Sequence, residues 1–139
     1  MIQAFVDAFF KGEDKLKSIF SAHPEEYKDI VKAVITVISE NLDVGEYAPR
    51  PDPKRIHEIN DGGYQGYLLY LIAADVYQPS DYWFVRVGYG SCSGCDALQA
   101  IRKYSAAPPT EQQVKDYMTL ALHIVQGMKQ LPDIMDDFD

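Results

Sequence analysis

The sequence predicts an α+β fold: a three-stranded antiparallel meander with helices packed before and after it. Three observations carry that expectation. Apolar residues recur at helical spacing from Ile2 to Leu42. The period drops to two after Arg55, around a glycine-rich turn at Asn60-Asp61-Gly62-Gly63. Helical spacing then returns and runs from Ala97 to about Leu131. One domain over 1–139 follows, with helices in 2–42, a sheet in 55–89, an elbow at 90–96, helices in 97–131 and an acidic tail at 132–139.

In the first helical region, Ile2, Phe5, Val6, Phe9 and Phe10 share a face, and Gly12 breaks it. Asp14 to Phe20 adds a turn or two. Pro24, Glu25 and Glu26 suit the positive end of a helix dipole. Tyr27, Ile30, Val31, Val34, Ile35 and Ile38 then give an apolar stripe reaching Leu42. Asp43 to Lys54, with Gly45 and three prolines (Pro49, Pro51, Pro53), reads as a surface loop.

Strand alternation follows. Ile56 and Glu58 fall on one face, His57 and Ile59 on the other. Tyr64 to Ala73 is near-continuously apolar and reads as a central strand covered on both sides. In Tyr82 to Tyr89, Trp83, Val85, Val87 and Tyr89 share a face, and Arg86 makes the other one wet or paired. After the elbow, Ala97, Leu98, Ile101 and Tyr104 form a short helix closed by Pro108-Pro109. Thr110 and Gln113 stand at capping-box spacing. Val114, Tyr117, Met118, Ala121, Leu122, Val125 and Met128 trace the last stripe.

The chain has 139 residues, enough for one sizeable core, and its 47% hydrophobic and 24% charged content excludes a disordered chain. No apolar run has the roughly 18 residues of a membrane span. The N-terminus lacks a basic region and carries Asp7 within its apolar part, so no signal peptide is expected. A cytoplasmic setting follows, where paired cysteines more often serve metal or catalysis than structure. The net charge of −8 argues against direct binding to nucleic acid through a phosphate-neutralising surface. It suits a basic protein partner, although a merely well-solvated surface is the commoner reason for such charge.

The candidate chemistry sits at the elbow. Cys92 and Cys95, the only cysteines, form Cys-x-x-Cys after a strand and before a helix, among Gly88, Gly90 and Gly94. A helix N-terminus favours the thiolate, which is both the metal-binding and the nucleophilic form. Two sulfurs so spaced can hold one Zn²⁺ at about 2.3 Å, form a redox pair, or pack as inert thiols. Zinc wants two further ligands. His57, on a strand of the same sheet, and Asp61, in the turn after it, are the first choices. Asp81, Asp96 and His123 follow, and a second chain could instead supply its own cysteines. A thioredoxin-like enzyme would need parallel βαβ order, and nothing after Ile101 reads as a strand. Gly90-Ser91-Cys92-Ser93-Gly94 also matches a nucleophile elbow, but the large parallel sheet that fold requires is missing. His23 and His123 read as ordinary helix-associated histidines.

Asp61-Gly62-Gly63-Tyr64-Gln65-Gly66, followed by Tyr89-Gly90-Ser91-Cys92-Ser93-Gly94-Cys95-Asp96, resembles a group of small uncharacterised proteins of bacteriophages and their bacterial hosts. The resemblance covers about residues 55 to 101. It implies a bacterial cytoplasmic setting rather than a reaction. By analogy with other small acidic phage proteins, such as anti-CRISPR inhibitors, it points to capture of a host defence protein. The sequence reading is therefore a non-enzymatic zinc-stabilised binder of a basic host protein, either monomer or homodimer. The alternatives are a cysteine-dependent redox or acyl-transfer enzyme and a plain interaction module.

Overall fold

A computed structural model describes residues 2–45, 48–60, 67–76, 81–88, 98, 101 and 107–131. Three helices open the chain: α1 (Ile2–Lys11), α2 (Glu13–Ile19) and α3 (Tyr27–Asn41). Strands β1 (Pro51–Asn60), β2 (Tyr67–Ala74) and β3 (Tyr82–Gly88) follow. Helix α4 (Glu111–Gln126) and a short strand β4 (Lys129–Leu131) come after them. The class is α+β, as expected, with a four-stranded antiparallel sheet in the order β1-β2-β3-β4. No helix among the described residues is long and apolar enough to cross a membrane.

The helices form where the apolar spacing placed them. Phe5, Ala8 and Phe9 are buried from α1, and eight residues of α3 from Tyr27 to Ile38 are buried. Gly12 divides α1 from α2 and becomes the N-cap of α2. Its φ of −101° suits any residue, so the demand for glycine is one of space. A Cβ there would run into Val37 Cγ1 and Asn41 Nδ2 of α3. Glu26 and Asp29 cap α3 reciprocally: the Glu26 side chain accepts from the Asp29 amide, and Asp29 Oδ2 accepts from the Glu26 amide at 3.1 Å. The Thr110–Gln113 capping box forms on α4, at 3.1 and 2.8 Å.

Three expectations are corrected, the first at the last helix. The last helix does not reach Leu131. It stops at Gln126 with Gly127 as C-cap, and Lys129–Leu131 turns back as β4 against Phe84–Tyr82. Apolar residues at Val125 and Met128 fit helical spacing, but Gly127 between them ends the helix. A strand therefore does follow Ile101. It is antiparallel, so the parallel order of a thioredoxin-like sheet is still not formed by the described strands.

Second, Pro51 and Pro53 lie inside β1 rather than in a loop. β1 is an edge strand, where a residue without an N–H is tolerated. Its register slips between Pro51, opposite Ala74, and Ile56, opposite Ile72. Five residue steps on β1 thus run beside two on β2, a bulge. Asp52 and Arg55 hold it. Asp52 Oδ1 accepts from the Lys54 amide at 2.9 Å, and Oδ2 meets Arg55 Nε at 3.3 Å. Arg55 Nη1 donates to the carbonyls of Ala74 and Val76 at 3.3 and 2.6 Å.

The sheet register sorts its residues into two faces. Ile56, Glu58, Leu68, Tyr70, Ile72, Trp83, Val85 and Val87 share one. It carries the core, where Trp83, fully buried, stacks obliquely on Phe5 at 5.5 Å. The other face carries His57, Ile59, Leu69, Leu71, Tyr82, Phe84 and Arg86. Third, Leu69, Leu71 and Phe84 are half-buried there, so β2 is central but is not sealed on both sides.

Candidate functional site

Of the expected metal ligands, Cys92, Cys95 and Asp61 lie outside the described residues, as does Asp96. His57 is exposed on β1, opposite Leu71, on the sheet face away from the core. Asp81 Oδ1 accepts from Gln130 Nε2 at 3.3 Å, and His123 is exposed on α4. Among the described residues no three His, Cys, Asp or Glu side chains gather as a metal group.

After the elbow, the first residue with a described position is Leu98. It is helical and 2% exposed, within the core cluster. Its amide donates to Tyr27 Oη at 3.1 Å. The chain leaving the elbow is thereby fastened to the first residue of α3. This happens on the core face of the sheet, the opposite side from His57.

A polar pair stands on the same face of the sheet. Tyr70, fully buried, faces Glu58 across the strand pair and donates to Glu58 Oε1 at 3.1 Å. Burial, and then the Glu58 charge and hydrogen bond, push the Tyr70 phenol far above its ordinary range, with smaller contributions from Glu26 and Tyr27. Tyr70 therefore holds its proton more tightly than an ordinary phenol. Glu58 thus shares the sheet's core face with Tyr70, a placement that alternation alone did not single out. Glu58 stands one position from His57, and only the direction of the helices decides which of the two faces the core.

His23 is likewise more committed than a solvated histidine. Its Nε2 donates to the Ala107 carbonyl at 2.9 Å, which leaves Nδ1 to accept from Tyr117 Oη at 2.5 Å in the neutral ring. It ties the segment before α3 to buried Tyr117 of α4.

A second feature lies between the helices. A groove of about 520 Å³ runs between α1 and the end of α3, lined by Asp7, Phe10, Lys11, Asn41 and Asp43 among others. Phe10 is 49% exposed at this groove, although its spacing placed it with the core residues of α1. The apolar stripe could not distinguish it from Phe9, which is 2% exposed.

No family model, no curated protein and no solved structure matches this chain.

Proposed function

We propose that the protein acts without catalysis, by binding another protein through charge, and that its partner presents a basic surface. The observation that carries this reading is where the negative charge sits. The chain carries −8, and among the described residues ion pairs engage Asp43, Glu40 and Asp52. Asp7, Asp14, Glu25, Glu26, Asp29, Glu58, Asp75 and Glu111 are exposed outside those pairs. A field of one sign raises the encounter rate with an opposite surface and repels like-charged competitors. A nucleic-acid-binding host defence effector is the partner class that the phage-protein resemblance brings forward.

In this reading Cys92 and Cys95 hold a structural Zn²⁺, with His57 or Asp61 completing the site. The ion would brace the chain between β3 and the Leu98 fastening. Affinity capture from bacterial lysate at low and high salt tests the partner reading. Retention of proteins of high isoelectric point, lost at about 0.5 M salt, is expected, since screening acts within about 10 Å at 0.1 M. Capture that ignores salt, or that enriches acidic proteins, would overturn it.

A further inference from the structure

We infer that the groove between α1 and the end of α3 receives an arginine side chain of the partner. The inference rests on the basic-partner reading and gives it a place. The groove offers what a guanidinium uses. Asp7, exposed on α1, has a neutral partner for its carboxylate, the Gln3 amide at 3.0 Å. No Lys or Arg among the described residues forms an ion pair with it. Asp43 stands across the groove, 90% exposed, and reaches Lys11 only at 3.8 Å. Asn41 Nδ2 is spent on the Val37 carbonyl at 2.9 Å, which leaves its side-chain oxygen as an acceptor among the described residues. Phe10 supplies a half-exposed ring three residues from Asp7 on the same helix.

Two carboxylates, an amide oxygen and an aromatic ring make a set for a planar cation with several N–H donors. Arginine satisfies acceptors and stacks on a ring at once, which a lysine ammonium does less well. Among the described residues lining the groove, Lys11 is the one like-charged group, and its grip on Asp43 is long and solvated. An incoming guanidinium competes with it for Asp43. Removal of the Lys11 charge therefore strengthens binding of a cation.

The probe is a hexa-arginine peptide, with hexa-citrulline as its neutral isostere, titrated into the full chain by NMR and calorimetry. The arginine peptide is expected to shift amides around Asp7 to Lys11 and Asn41 to Asp43, while the citrulline peptide leaves them in place. Asp7→Asn and Phe10→Ala should each weaken binding about two- to fivefold. Lys11→Met should tighten it by about twofold. Asp75→Asn, an equal charge change outside the groove, should move affinity less than Asp7→Asn. Equal effects of Asp7→Asn and Asp75→Asn, or weaker binding by Lys11→Met, overturn the groove while leaving the basic-partner reading intact. If neither peptide binds the wild-type chain, both fall together. Trp83 fluorescence checks that each variant is folded.

Discussion

Substitution of Tyr27 by phenylalanine isolates the fastening between the elbow's far side and α3. The ring stays, 5% exposed in the core, and only the hydroxyl is lost. The Leu98 amide, buried and bonded to that hydroxyl at 3.1 Å, then has no acceptor there. Leaving a buried donor unsatisfied costs about 1–3 kcal/mol. For a domain of 139 residues that corresponds to a fall in Tm of roughly 3–12 °C. Tyr70→Phe is the matched control. It also removes one phenolic hydroxyl from a buried ring, but its partner Glu58 is exposed and water can replace the lost donor. The expected cost is about 0.5–1.5 kcal/mol, the ordinary net value of one hydrogen bond. Thermal unfolding followed by Trp83 fluorescence measures both, and hydrogen exchange at the Leu98 amide should accelerate in Tyr27→Phe alone. Equal Tm values for wild type and Tyr27→Phe, with unchanged exchange at Leu98, would refute the fastening. So would a larger loss in Tyr70→Phe than in Tyr27→Phe.

Gly12→Ala forces a Cβ onto Val37 and Asn41 and should cost about 1–3 kcal/mol in urea unfolding, with m unchanged. Asp52→Ala removes the acceptor for the Lys54 amide and the ion partner of Arg55, and should lower stability by about 1–2 kcal/mol in the same assay. Tyr70 sets an alkaline limit. Its phenol holds its proton in the fold above the ordinary value of 10.0, so the unfolded chain releases that proton first as pH rises. Stability should therefore be unaffected by this group below about pH 10 and fall above it, by up to about 1.4 kcal/mol per pH unit, a component that Tyr70→Phe removes. Cys92→Ser and Cys95→Ser should each lower the Tm and abolish stoichiometric zinc in elemental analysis. A wild-type protein free of metal, with a reactive low-pKa thiol, would favour the enzymatic alternative.

Helical spacing made α1, α2, α3 and most of α4 legible, because each buries a stripe and each boundary carries a chemical sign. Gly12 and the Thr110–Gln113 box are such signs, whereas the Glu26–Asp29 cap of α3 emerged only in the structure. Where two signals conflicted, the longer pattern misled. Met128 continued the α4 stripe past Gly127, and a three-residue strand is too short to show alternation of its own. The prolines of β1 looked like a loop because their tolerance depends on standing at a sheet edge, which is a property of topology. The Leu98–Tyr27 contact spans 71 positions, and no local pattern announces it. For the elbow, local spacing left zinc, redox and inert-thiol readings of Cys92 and Cys95 open, and both residues lie outside the described residues. Alternation did separate His57 from Glu58, but only the helices' choice of face shows that Glu58 stands on the core's side.

The acidic groove and the core share one cause. Gly12 lets α1 and α2 approach α3 at Val37 and Asn41 more closely than any side chain would permit. That approach sets Asp7 and Phe10 of α1 opposite Asn41 and Asp43 at the end of α3. The end of α3 is itself held, because Arg50 Nη1 donates to the carbonyls of Ser39 and Leu42 at 3.3 and 3.0 Å. Arg50 in turn joins the sheet, its own carbonyl accepting from the Asp75 amide at 2.8 Å. The groove's two walls are thus anchored to packed elements, and its side chains need little ordering when a partner arrives. It follows that Gly12→Ala should weaken arginine-peptide binding along with stability. Asp52→Ala, acting at the bulge of β1, should lower stability without touching affinity. Loss of both properties in both variants would show that the groove merely reports global folding.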